Sequence, residues 1–157
     1  MTNINDYIIP QDGKDWPTWL KGWTPPLPET FTLWMVNRFG DLIIVADDGS
    51  VHMLDLGTGV LNRLADSRED FFAMIDQDNN ADNWLLITLT DACVAAGMTL
   101  HPNECYSLTI PAFLGGKYAV ENIKPMDMQL YYELTAEIYR QTKDLPDGAK
   151  IQFKITD

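Results

Sequence analysis

The chain has 157 residues, a net charge of −12, and 46% apolar and 22% charged side chains. That length suits one domain, able to bury roughly 70% of its unfolded surface without staples. The negative charge speaks against a surface that grips nucleic acid or an anionic bilayer, and no run reaches the ~20 apolar residues of a membrane span.

Residues 1–36 read as a Trp/Pro-rich arm packed on a family-like region over 37–157. The opening stretch MTNINDYIIP lacks the basic and apolar segments of a secretory signal. Cys93 and Cys105 make no disulfide framework. A reduced, cytoplasmic, soluble protein is expected. Trp16, Trp19 and Trp23 have i, i+3, i+7 spacing, so a short helix opening at Pro17 would set them on one side. Such a trio makes a carbohydrate or peptide platform or, more often, anchors a terminal arm. Pro25, Pro26 and Pro28 then hold the chain extended.

Strand character is expected from Phe39 onward. DLIIVA, VHMLDL and VLNRLA, separated by DDGS and GTG, predict a three-stranded antiparallel meander, with Asp48-Gly49 as a hairpin turn. Ser67 and Asp70 resemble a capping box, with Phe71, Phe72 and Ile75 on the buried side of the helix they open. DQDNNADN breaks that helix. A second is predicted from Asp82 to Gly97, with Gly97 just past its end. CYSLTI reads as a strand and AVENI as a possible partner. Asp127 caps a third helix, on which Leu130, Leu134 and Ile138 repeat at i+4. LPDG is a turn and AKIQFKI a last strand. The sum is an α+β fold: an antiparallel sheet, the meander plus later strands, with about three helices packed on one face.

No catalytic set stands out. His52 and His101 belong to no metal motif, neither cysteine has a Cys-x-x-Cys partner, and no serine sits in a Gly-x-Ser-x-Gly elbow. Asp76, Asp78 and Asn80 match the start of a calcium loop, but Ala81 and Ile87 stand where it needs Gly and Glu. Glu133 and Glu137 read as a solvated helix face. In PAFLGGKYAVENI, Gly115 and Gly116 precede Lys117, yet the first Walker glycine is missing and Tyr118 replaces the hydroxyl residue. A tight turn is the expected reading of this segment. No cofactor and no metal are implied.

The charge is uneven. Residues 41–82 hold ten acids against Arg63 and Arg68, so −8 of the −12 falls there. An acidic surface of this kind attracts basic proteins. Asp47, Asp48, Asp55, Asp66, Glu69, Asp70, Asp76 and Asp78 are the candidate partner-binding residues.

FGDL (Phe39, Gly40, Asp41, Leu42) followed by YSLTIPAFLGGKYAVENI resembles a bacterial family first catalogued as a domain of unknown function. It is now described as the C-terminal domain of type VI secretion immunity proteins. Tyr106, Pro111, Leu114, Gly115, Gly116, Asn122 and Ile123 carry the motif, and the similarity spans roughly residues 37–157. A looser likeness joins the chain to the Smi/Knr-type immunity superfamily. Longer relatives carry an N-terminal domain not found among these residues. The resemblance implies binding without catalysis: the partner is another protein, a basic toxin such as a nuclease, with no nucleic acid or membrane involved. A second reading is a small-ligand sensor with a concavity at Gly115–Tyr118, flanked by Tyr106 and Trp84.

Overall fold

The computed structural model describes residues 3–142, so the predicted LPDG turn and AKIQFKI strand lie outside the described residues. Six strands and five α-helices alternate with short 3-10 turns. The strands are β1 (Thr32–Val36), β2 (Leu42–Val45), β3 (Val51–Asp55), β4 (Val60–Ala65), β5 (Glu104–Leu108) and β6 (Ile123–Asp127). The helices are α1 (Trp16–Trp19), α2 (Arg68–Ile75), α3 (Asn80–Leu85), α4 (Ile87–Ala95) and α5 (Met128–Thr142). The α+β class and the antiparallel pairing stand as expected.

The meander has four strands, in the order β1-β2-β3-β4. Its first strand, TLWMV, lies ahead of the predicted start at Phe39. A register shift between Leu33 and Met35 interrupts the alternation that would have marked it. All four residues of β2 are buried, because this central strand is covered on both faces. Leu42, Ile44 and Leu54 join one core with Trp23, Met128, Tyr132 and Ala136. Ile43, Val45, Val51 and Met53 join a second with Phe71, Trp84 and Leu85. The helices therefore divide between the two faces: α5 and the N-terminal arm on one, α2 and α3 on the other.

The tryptophans anchor the arm. Trp23 is fully buried, stacks on Tyr139 at 5.3 Å and donates from Nε1 to the Tyr132 carbonyl at 3.1 Å. Trp16 meets both Trp19 and Tyr132 edge-on. The expected caps form. The Asp70 amide donates to Ser67 Oγ, and the Leu130 amide to Asp127 Oδ2. Gly97, at φ +84°, ends α4 in a Schellman arrangement: Met98 N–H reaches the Cys93 carbonyl and Gly97 N–H that of Val94.

Local detail departs from expectation in four places. Phe72 is 53% exposed, since Phe71 alone points into the core from α2. The helix predicted over 82–97 is two helices, split at Leu86, which adopts a left-handed conformation (φ 51°, ψ 50°). Leu130 is exposed too. The buried stripe of α5 runs instead through Met128, Tyr131, Tyr132, Thr135 and Ala136. AVENI is a 3-10 turn, and the strand follows it as IKPMD, pairing with β5 in a separate two-stranded ribbon. Pro125 is tolerated there because a two-stranded ribbon leaves each strand one free edge.

Candidate functional site

The segment from Pro111 to Ile123 closes on itself. The amides of Leu114 and Gly116 donate to the Pro111 carbonyl, and that of Gly115 to the Ala112 carbonyl. These three N–H groups are thus spent inside the loop, whereas an anion cradle needs them converging outward. Asn122 ties both ends. Its Oδ1 accepts from Ile110 N, and its Nδ2 donates to the carbonyls of Ile110 and Lys117. A Cβ on Gly116 would lie 1.6 Å from the Ile110 carbonyl oxygen, so only glycine fits. The aromatics proposed to flank a pocket here belong elsewhere. Trp84 stacks on Phe71 at 4.9 Å, while Tyr106 leans on Phe39 at 5.3 Å in a third core with Ile123.

Tyr118 carries the loop onto the sheet. Its hydroxyl donates to Asp55 Oδ1 at 3.3 Å and lies over Gly57, where a Cβ would come within 2.2 Å of the oxygen. Burial first, and then the charges of Asp55 and Asp41, push this phenol well above its ordinary pKa. Asp55 also accepts from Gly57 N.

Phe39, Gly40 and Asp41 lie in the turn between β1 and β2, and Leu42 opens β2. Asp41 is only 4% exposed. Its Oδ1 accepts from Leu56 N at 2.9 Å and its Oδ2 from Asn37 Nδ2 at 3.1 Å, which joins the β1–β2 turn to the end of β3. Desolvation, with the charge of Asp55 second, pushes its carboxyl up to about 8. The Gly40 carbonyl accepts from the Tyr132 hydroxyl at 2.6 Å, which ties the turn to α5.

A group missed in the sequence is Asp48, Ser50 and His52. Ser50 Oγ lies 2.5 Å from Asp48 Oδ1 and 2.8 Å from His52 Nε2. The order is wrong for nucleophilic catalysis. The carboxylate holds the serine hydroxyl, not the second imidazole nitrogen, and Ser50 is 1% exposed. The Ser50 amide also donates to Asp48, so the trio braces the hairpin turn, and these bonds hold the Asp48 carboxyl below its usual range. Cys93 and Cys105 are buried, and burial pushes both thiols up, away from the reactive thiolate. Among the described residues no group of three or more His, Cys, Asp and Glu is placed to hold a metal ion. His101 lies exposed in the loop before β5, its amide donating to Glu104. Glu133 accepts from Gln129, and Glu137 is clamped by Arg140 and Gln141, which draw its carboxyl down to about 2.

Seven of the eight candidate partner-binding carboxylates are exposed. Asp47 and Asp48 stand at the β2–β3 turn. Antiparallel pairing of Val51 with Ala65 brings Asp66 to the same end of the sheet, and α2 carries Glu69 and Asp70 onward from there. Asp66 and Asp70 line one shallow depression between β4 and α2. Asp76 and Asp78 follow the far end of α2. Asp55 is apart: it sits at the opposite end of β3, half-buried and engaged with Tyr118. The local cations are committed, Arg63 to Asp66 at 2.8 Å and Arg68 over the Trp34 ring at 5.6 Å.

Residues 65–139 of this α+β scaffold match a family model for type VI secretion immunity proteins. That family is described as T6SS immunity protein Tdi1, C-terminal. The matched span runs from the end of β4 into α5 and bears out the resemblance read from the sequence. Phe39–Leu42 lies outside it but is bound to it through Tyr132 and through the Tyr106 amide, which donates to the Arg38 carbonyl at 2.8 Å. No match to a curated protein was found. No helix among the described residues is long and apolar enough to cross a membrane.

Proposed function

We propose that the protein neutralises a toxin by binding it, without catalysis, through the carboxylates of the β2–β3 turn, of α2 and of the chain flanking α2. The observation that carries this reading is that five of those carboxylates (Asp66, Glu69, Asp70, Asp76 and Asp78) lie exposed within the immunity-family span. The partner is a basic toxin. A nuclease fits, since a cleft shaped for phosphates offers the complementary charge. Asp47 and Asp48 extend the surface. Asp55 does not belong to it. Binding takes place in the cytoplasm, where such a nuclease meets its substrate.

Co-expression with the toxin encoded beside this gene tests the reading. Wild-type protein restores growth and co-purifies with the toxin. The triple reversal Asp66→Lys, Asp70→Lys, Asp76→Lys folds but loses rescue and weakens capture at least ~100-fold, as expected for several opposed charges. Full protection by the triple variant would remove the acidic surface from the mechanism.

A further inference from the structure

Phe72 has a setting that the core does not explain. Its neighbour Phe71 fills the core and stacks on Trp84, while the Phe72 ring stands 53% exposed, meeting Trp34 and Phe71 edge-on. Beside it opens a groove of about 510 Å³. It is lined by Phe72 and Ile75 of α2, by Asp76 just past the helix, and by Ile4, Ile87 and buried Leu85. That volume falls in the ~300–1,000 Å³ range of binding pockets. Helical spacing places Glu69 (i−3) and Asp76 (i+4) one turn to either side of the ring, and both are exposed. The nearest cation on the helix, Arg68, is turned onto Trp34.

An exposed aromatic ring beside an apolar recess, with Asp76 in the lining and Glu69 one helical turn from the ring, is the make-up of an interface anchor: a desolvated centre and a charged border. We propose that the Phe72 groove receives an apolar side chain of the toxin, on a segment carrying Lys or Arg to either side. The inference rests on the proposed function and locates its energetic centre. The charge of the rim selects the occupant. An apolar segment flanked by acids would be repelled by Glu69 and Asp76, and one without charge would leave both carboxylates unmatched. The groove is lined by α2, α3, the start of α4 and the N-terminal segment at Ile4, and the charged β2–β3 turn takes no part in it. The turn therefore steers and the groove holds.

The test uses the full chain and the purified, catalytically inactivated toxin encoded beside the gene. Phe72→Ala, with an unchanged thermal midpoint, weakens affinity at least ~30-fold, mainly through faster dissociation. Val94→Ala, at an exposed apolar site on α4, leaves affinity unchanged. Should Phe72→Ala unfold the protein, a photo-crosslinking benzoylphenylalanine at position 72 retains the ring. Irradiation then joins it to a toxin segment whose apolar residue has Lys or Arg neighbours. Wild-type affinity in Phe72→Ala, or a crosslink to an acidic or uncharged segment, overturns the anchor and leaves the acidic-surface reading standing. Failure of the wild-type protein to bind the toxin overturns both.

Discussion

Asp41 stands in the sequence beside Gly40, where a carboxylate ordinarily faces water. Here two chain reversals close over it, and its oxygens accept from Leu56 N and Asn37 Nδ2. Nothing local in FGDL announces that burial, because the covering groups come from β3 and from Tyr132, 91 positions along the chain. The charge thus carries a desolvation cost that two hydrogen bonds only partly offset. The linkage has a definite sign. With its pKa raised to about 8, Asp41 keeps its proton in the folded state while the unfolded chain releases it near 4. Its contribution is fully present below pH 4 and is lost as pH rises through about 8, with a slope of up to about 1.4 kcal/mol per pH unit. Asp41→Asn lacks that slope. It also turns an amide toward Asn37 Nδ2, at a cost of about 1–3 kcal/mol. Urea midpoints of both proteins between pH 5 and 8.5 are expected to draw together as pH rises. A gap that stays constant over this range would mean that the carboxylate is ionised in the fold throughout.

At the scale of elements, what was legible was local. Asp48-Gly49, the Ser67 and Asp127 caps and the Gly97 terminus each act through neighbours a few residues away, so their chemistry reads directly from the chain. What was not legible depended on distant partners. Strand β1 hides behind a proline run and a register shift. The break at Leu86 carries no glycine or proline to mark it. Phe72 and Leu130 carry apolar side chains at helical spacing, yet both face outward, because periodicity gives a stripe but not its width. The loop at Gly115–Gly116 lies between these cases: its tightness was readable, and its closure by Asn122 was not. The two glycines also differ in kind. Gly115 adopts φ +90° with open space where a Cβ would point, whereas Gly116 is packed on the Ile110 carbonyl. Gly115→Ala should cost about 1–2 kcal/mol through backbone conformation alone. Gly116→Ala meets backbone that cannot yield and should cost more than ~3 kcal/mol. Equal denaturation midpoints for the two variants would show that the loop is not closed in this way.

Across the whole molecule, the proposed function divides the work between charge and shape. Of the −12 charge, −8 falls in residues 41–82, which include the β2–β3 turn, α2 and the turn after it, while α5 and the arm close the opposite face of the sheet through Trp23, Tyr132 and Tyr139. A one-sided field orients an approaching basic partner before contact, but it is screened beyond ~10 Å at 0.1 M salt. Steering of this kind acts on association, whereas an anchor in the Phe72 groove acts on dissociation. Salt should therefore separate the two surfaces. Between 20 and 300 mM NaCl the association rate with the cognate toxin is expected to fall at least ~10-fold, with dissociation changing far less. A reversal at the turn that leaves the Asp48 brace intact, Asp47→Lys, should flatten the salt dependence of association and spare the dissociation rate. Phe72→Ala should do the opposite, keeping the salt slope while shortening the lifetime of the complex. Stopped-flow mixing followed by dilution measures both rates. If salt acts on dissociation alone, the carboxylates make contacts and do not steer, and the turn and the groove form one surface instead of two.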